Sequence, residues 1–535
     1  MIGKQKRMYG VIHIGSVGLS LLIVDYGGPD DVTIVQEARR AAGFGEEVFT
    51  QGELSFTSIR QMVRIINGFR RIMADYEVEE VMVYATAVLR EAKNSRMILD
   101  LIRVHTGLSV EILDMPQEIF YKHYALHYEL THNADVAAGT TLYVDITSSA
   151  VGLTIWQKDT LKYQQNLHIG TLRVLESFRR AQRDSYDFPK VLDEFLGRIL
   201  EPIWPMLEQY EIDNVVLSGR ESRLVARMMG FTTQQAMRIV SPERFFRVFQ
   251  SSQSRTATSL EHAYGFTADE TEKLLPTLHL YAQIFTHVQP QRLLMMSTTF
   301  LYGAMLYYGA RTTDEPALAF LREQHLELAK TMAARYGGNI MHGETVAEYV
   351  VILMKALRSV HGLGERDTYL LRMAVFLHQI GRFVNLRQNG VHTYHIIMGT
   401  DLFGLTDLEK EMVAVVAYYN YKGRPSDEDK PFRQLPEWVK MVILKLVAVL
   451  RLAKAMDKGE QHKLYNVEAF LRRGSLVIYY DAKANTNTLL EEWTFAEETK
   501  LFTDVFGLDA KLERRPQRLT LHEHKRCPSW TTVTF

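Results

Sequence analysis

Residues 10 to 24 read Gly-Val-Ile-His-Ile-Gly-Ser-Val-Gly-Leu-Ser-Leu-Leu-Ile-Val, a strand, a Gly/Ser turn and a second strand. Residues 142 to 156, Leu-Tyr-Val-Asp-Ile-Thr-Ser-Ser-Ala-Val-Gly-Leu-Thr-Ile-Trp, repeat the pattern. Small residues at such a turn let backbone N–H groups approach an anion closely, and a carboxylate closing the first strand can hold a cation against it. Only the second copy carries that carboxylate: Asp145 stands where the first hairpin has His13. An aspartate at the end of an apolar strand is costly to bury without a partner, so Asp145 reads as functional, with a turn-capping aspartate as the plainer alternative. Ser148 and Ser149 offer hydroxyls either to a phosphate or to the turn alone, and His13 reads as structural. The two hairpins point to a nucleotide or phosphate site that the chain has partly rewritten.

The elements that must position these turns alternate in type. Residues 8 to 130 read as the first hairpin, an amphipathic helix from Ser55 to Tyr76, a strand Glu80 to Ala85, a helix Ser95 to Thr106 and a strand Val110 to Leu113. A second α/β domain follows, with long helices around Asp184 to Tyr210 and a buried-looking strand Asn214 to Ser218 before Gly219. Two similar halves imply a cleft between them. Helical spacing then dominates, in Val346 to Val360, Tyr369 to Ile380, Leu408 to Tyr419 and Val439 to Met456. The tail adds a strand Ser475 to Tyr480 and a helix Glu497 to Phe506. The expected domains are 1–134 and 135–312 for the two α/β halves, 313–460 for the helical part and 461–535 for a small α+β segment.

A chain of 535 residues exceeds one ordinary core. Its 47% apolar and 23% charged residues describe a globular protein with no membrane tract and no secretory leader, which is expected to be cytoplasmic. The single cysteine, Cys527, excludes an internal disulfide and a cysteine metal cluster. With 62 basic against 63 acidic residues no global field draws the chain to nucleic acid, so no specific nucleic-acid partner is expected and a polyanion must meet a local patch.

The first hairpin, the segment Tyr84-Ala-Thr-Ala-Val-Leu-Arg-Glu-Ala-Lys-Asn94, the acidic residue in Met115-Pro-Gln-Glu-Ile-Phe120 and the hairpin at Asp145 follow one another as in the Ppx/GppA phosphatases. The chain resembles that family of exopolyphosphatases and guanosine pentaphosphate phosphatases over nearly its whole length. The resemblance implies two actin-like lobes of the ASKHA, RNase H-like α/β class, an all-α HD-like domain and a small α+β C-terminal segment. By the same resemblance Glu118 matches the glutamate that polarises the attacking water, Asp145 a cation-binding or water-positioning aspartate, and Arg90 a phosphate-facing arginine. The implied chemistry is hydrolysis of a phosphoanhydride in polyphosphate or a guanosine polyphosphate, with Mg²⁺ at Asp145. Phosphate would be met by Gly15, Ser16, Thr147, Ser148, Ser149 and Gly219. Phosphoryl transfer asks mainly for positioning and charge around the transferring group, which such a set can supply. The residue types alone leave plainer roles open: Glu118 as a solvated charge near a helix start, Arg90 as the partner of Glu91 or a neighbouring carboxylate.

Departures from the family pattern are as informative. Its first loop, Asp-Ile/Leu-Gly-Ser-Asn-Ser, reads His13-Ile-Gly-Ser-Val-Gly18 here, and its second, Asp-Ile-Gly-Gly-Gly-Ser-Thr, reads Asp145-Ile-Thr-Ser-Ser-Ala-Val151. The third loop keeps only Gly219 in Leu217-Ser-Gly-Arg-Glu221, and the polar motif ending the second lobe is replaced by Met296-Ser-Thr-Thr-Phe-Leu-Tyr-Gly303. Lost glycines hinder backbone approach to a phosphate, although Thr147, Ser148 and Ser149 bring substitute hydroxyls. A catalytically impaired polyphosphate- or nucleotide-binding regulator is therefore the competing expectation. In the helical part His342, His378-Gln379, His392 and His395 follow the order of an HD phosphohydrolase, but Gln379 and, in Leu452-Ala-Lys-Ala-Met456, Lys454 stand where a hard cation needs carboxylates. These histidines are expected to be satisfied core or groove residues, in a domain that binds, caps or, by resemblance, forms a homodimer. Arg372, Arg382, Arg387, Lys422 and Arg424 could line a groove for a polyanion, or form a scattered solvated face.

Overall fold

In the computed structural model the first hairpin is β1 (Arg7–Gly15) paired antiparallel with β2 (Gly18–Gly28), closing where Gly15 lies opposite Gly18. The structure describes residues 7–28, 31–131, 139–231, 237–253, 255, 257–296, 300–313, 316–402, 404–420 and 423–515. Of the positions singled out above, residues 297–299, Lys422 and Cys527 lie outside the described residues. The chain packs as two units, one holding residues 7–336 and 394–414, the other 337–393 and the described chain from 415 onward.

The first unit contains two sheets built to one plan. In the first, β3 (Asp31–Ala41), β4 (Glu80–Ala85) and β5 (Glu111–Ile112) complete the order β3-β2-β1-β4-β5, with β1 and β4 parallel. In the second, β6 (Thr140–Ile146), β7 (Val151–Gln157), β8 (Thr160–Leu167), β9 (Asn214–Ser218), β10 (Met237–Val240) and β11 (Arg292–Met296) take the order β10-β11-β9-β6-β7-β8. Apart from β10 at its edge, this repeats the first: a three-strand antiparallel meander followed by parallel strands. The repeat puts both hairpin turns and the ends of the parallel strands at corresponding positions, where α/β sheets bind ligands.

Parallel strands need crossover helices, and the sequence supplies them by 3.6-residue periodicity. The helix Phe56–Asp75 buries Ile59, Met62, Ile66, Phe69 and Met73, and starts where the Ser55 side chain accepts the Ser58 amide, a cap worth about 1 kcal/mol. The stretch from 184 to 210 is broken instead: Pro202 and Pro205 lack the amide a continuing helix would use, so Phe188–Leu200 is followed by two short turns, Glu201–Ile203 and Trp204–Leu207. Two further helices, Met115–Thr131 and Phe300–Thr313, belong to a core shared by the two sheets, with Val11 and Val24 from one and Tyr143 and Leu294 from the other. They cross closely at Gly303, where an added Cβ would lie 1.8 Å from the carbonyl oxygen of Tyr121. Gly303→Ala must push backbone apart and is expected to destabilise this unit by roughly 1–3 kcal/mol, measured as slower-to-faster exchange of the Met115–Thr131 amides. Unchanged exchange would mean that the helices part freely.

In the second unit the helices Ile340–Ala356, Glu365–Leu377 and Glu437–Ala455 accompany a small sheet of β12 (Tyr465–Arg472), β13 (Ser475–Asp481) and β14 (Asp509–Arg514). The helix Leu489–Phe506 crosses between parallel β13 and β14, beginning eight residues before its apolar pattern predicts. Among the described residues no helix is long and apolar enough to cross a membrane.

Candidate active site

Asp145 closes β6 beside Ser218 of β9 and is 4% exposed. A buried carboxylate must be paired, and two residues do this: Ser218 Oγ donates to Oδ1 at 3.1 Å, and the Lys122 ammonium donates to Oδ2 at 2.8 Å. Lys122 comes from the helix Met115–Thr131, one turn after Glu118, and its Nζ is 3.9 Å from Glu118 Oε1. Burial pulls the Lys122 ammonium down, but the carboxylates of Asp145 and Glu118 outweigh it and hold it above the ordinary lysine value. Glu118 Oε2 is in turn 3.9 Å from Arg90 Nη1, which donates to the Leu113 carbonyl at 2.6 Å. Arg90, Glu118, Lys122 and Asp145 thus form a row of alternating charge. Arg90 does not pair with Glu91, which meets Arg173 at 3.0 Å instead.

Next to Asp145 the chain turns at Gly219 with φ +92°, and a Cβ there would lie 2.7 Å from Ile146 O and 2.9 Å from Asp145 Oδ1. A side chain is excluded twice, by conformation and by space, which explains why this one glycine of its loop remains. The second hairpin turn is closed on itself: the Thr147 amide and hydroxyl both donate to Ala150 O, and Thr147 Oγ1 accepts the Ala150 amide at 3.0 Å. Ser148 Oγ donates to Glu221 Oε1 at 3.3 Å. In the first hairpin His13 meets the Thr86 hydroxyl at 3.0 Å. Burial, reinforced by Lys122, pushes its imidazole down to about 3, so His13 is neutral at the place where the second hairpin has Asp145.

A cavity of about 520 Å³ opens between the two hairpin turns, in the size range of small-ligand sites. Gly15, Ser16, Thr147, Ser148, Ser149 and Gly219 all line it, as does Glu118. Asp145 and Arg90 do not; the first lies behind Lys122, and the second is held at Leu113. Among the described residues five basic ones border the cavity, Arg39, Arg40, Lys122, Arg223 and Arg227, against three acidic ones, Glu118, Glu221 and Glu270. Arg227 is partly neutralised by Glu270 at 3.2 Å. None of these basic residues was singled out by sequence reasoning. For Lys122 the signal was present, because residues four apart share a helix face and Glu118 had already been placed on it. Arg39 and Arg40 end a strand whose position beside the turn only the sheet order reveals.

In the second unit His342 and His378 are buried with ring centroids 5.7 Å apart. His342 Nδ1 meets Asp457 Oδ2 at 2.8 Å, and His378 Nδ1 meets the Val375 carbonyl at 2.5 Å. Burial, then the charge of Lys454, holds His378 well below the ordinary histidine value. Among the described residues no group of three or more His, Cys, Asp or Glu side chains is arranged to hold a metal ion.

Residues 23–298 match the model of the Ppx/GppA phosphatase family, and residues 326–499 match Ppx/GppA phosphatase, domain III. The chain is 23% identical over 423 residues to a guanosine-5'-triphosphate,3'-diphosphate pyrophosphatase of Vibrio parahaemolyticus, covering 77% of this chain and 80% of that one. It is 23% identical over 420 residues to the protein of that name from Vibrio vulnificus, with the same shares covered. Among solved structures it is similar to the Aquifex aeolicus member of the Ppx/GppA family, with a TM-score of 0.51 and 18% identity over 58% of this chain and 99% of that one. With its paired sheets, its two hairpin turns facing one cavity and a family model spanning more than half its length, this chain belongs to the Ppx/GppA phosphatase family.

Proposed function

We propose that this chain hydrolyses a terminal phosphoanhydride, in guanosine 5'-triphosphate 3'-diphosphate or in inorganic polyphosphate. The observation that carries the reading is Glu118 lining a cavity between the two hairpin turns that basic residues also border. Water attacks the terminal phosphorus, the bridging P–O bond breaks, and Glu118 accepts the proton of the attacking water while the cavity's basic side chains receive the charge that gathers on the phosphoryl oxygens. Arg90 acts on this step through Glu118, as a positioning residue. The names of the Vibrio relatives support the guanosine polyphosphate as substrate; the resemblance of the loops supports either.

The family resemblance implies Mg²⁺ at Asp145, and the residues present do not fit it there. One carboxylate oxygen is taken by the Lys122 ammonium and the other by the Ser218 hydroxyl, whereas a hard divalent ion needs several free oxygen ligands. The same carboxylate and the closed Thr147 turn favour the second reading, a regulator that binds the polyanion without turning it over. The reading of the second unit as an HD-like domain rests on the resemblance alone; there Asp457 pairs with His342 and Lys454 donates to Asn420.

The test is phosphate release from guanosine pentaphosphate and from polyphosphate. Release by the native chain, reduced by about 10²-fold in Glu118→Gln, is the expected result. Binding of either compound with no release by the native chain would move the conclusion to the regulator.

A further inference from the structure

We propose that the Lys122 ammonium is the resident cation of this site: it stands between Asp145 and the cavity, where a bound ion would bridge carboxylate and phosphate, and it contacts the phosphoryl oxygens itself. This rests on the reading of the cavity as a phosphoanhydride site. Asp145 has a side chain 6% exposed and is absent from the cavity wall, whereas Lys122, 13% exposed and 2.8 Å away, forms part of that wall. The far side of the carboxylate is closed as well, by the Ser218 hydroxyl on Oδ1 and by the Gly219 backbone packed so tightly that a Cβ would come within 2.9 Å of that oxygen.

A divalent ion entering from the cavity would have to displace the lysine from both of its carboxylates or lie beside an ammonium, which repels it. The lysine supplies in one piece what the ion would supply: positive charge against Asp145 and Glu118, and a compact cation for phosphate, which lysine binds as a point charge. Its ammonium has three donors and Asp145 takes one, so donors remain for an oxygen in the cavity. The consequence is phosphate binding that does not require a divalent cation.

The first arm of the test uses the metal alone. Mn²⁺ titrated into the native chain, followed by electron paramagnetic resonance, is expected to show no saturable site up to about 1 mM, a range that spans ordinary hard-cation sites. Lys122→Ala, which uncovers Asp145, is expected to gain one. A saturable Mn²⁺ site in the native chain that Asp145→Asn removes would overturn the proposal, and this measurement stands even if the lysine variant fails to fold.

The second arm uses inorganic tripolyphosphate, measured by calorimetry with EDTA and then with Mg²⁺. Affinities within about threefold of each other, falling about tenfold or more in Lys122→Met, are expected for a lysine that carries the contact. Binding that appears only with Mg²⁺ would overturn the proposal. Binding in neither buffer would overturn the phosphoanhydride reading and the phosphate contact with it, while the Mn²⁺ arm still decides whether Lys122 excludes the ion.

Discussion

Asp145→Ala is expected to destabilise the first unit by about 3–5 kcal/mol, the usual cost of removing one partner from a buried ion pair. The carboxylate is 6% exposed and the lysine 13% exposed, so neither can turn to water for compensation. Without Asp145 the ammonium keeps only Glu118 at 3.9 Å, and the Ser218 hydroxyl loses its acceptor. Lys122→Ala should cost a similar amount, because it leaves the carboxylate with one hydroxyl. Removing both charges together, in Lys122→Met with Asp145→Leu, is expected to recover most of the loss, since a buried pair stabilises little relative to apolar side chains of similar volume. Hydrogen exchange of the β6 and β9 amides reads this unit without averaging it with the other. Losses below about 1 kcal/mol in both single variants would show that the pair is not buried as described. The sign with pH follows from the raised lysine: its contribution is complete below the unfolded lysine value of about 10.4 and disappears as pH rises through the folded value.

That pair also marks where sequence reasoning reached and where it stopped. Helices with one apolar stripe were legible, as in Phe56–Asp75, whose five buried residues recur every three or four positions. Both hairpins were legible from apolar runs on either side of small-residue turns. The third strand of the first meander was not: β3 has four charged residues in eleven and is largely exposed, so no apolar stripe announced it, and it is held by backbone pairing to β2. For the site, Glu118 and the turn residues from both hairpins could be placed because family motifs mark them, and all of them border the cavity. Lys122 lies outside those motifs, and its pairing with Asp145 joins residues from a helix and a strand whose meeting depends on the packing of two sheets. Arg90 shows a different case: its motif suggested a phosphate contact, and in the structure its Nη1 donates to the Leu113 carbonyl and faces Glu118 while its Nη2 has no hydrogen-bond partner among the described residues, so it lies beside the cavity wall rather than in it.

Lys454→Met is expected to stabilise the second unit at neutral pH, by roughly 1–3 kcal/mol, and to flatten its dependence on pH. Lys454 lies near the end of the helix Glu437–Ala455 and donates to the carbonyl and side-chain oxygens of Asn420. Burial, and then the charges of Lys458, Arg451 and Arg382, pull its ammonium down to about 7, with Glu498 opposing them. Buried His378, held neutral in part by Lys454, offers it no negative charge. The unfolded lysine titrates near 10.4, so between about pH 7 and 10 the unfolded chain holds a proton that the folded chain has released. Stability therefore rises with pH through that window, by up to about 1.4 kcal/mol per unit, and below pH 7 the full penalty of the buried charge applies. Methionine removes the penalty but also the bonds to Asn420, each worth about 1 kcal/mol, which is why the expected gain is smaller than the titration alone would give. Amide exchange of the Glu437–Ala455 helix at pH 7, 8 and 9 in both chains isolates this one group. Parallel slopes in the two chains would sink the assignment. A falling advantage of the variant as pH rises would show that this domain keeps a lysine in its interior at a cost, a choice that favours a charge needed at that place over a better-packed core.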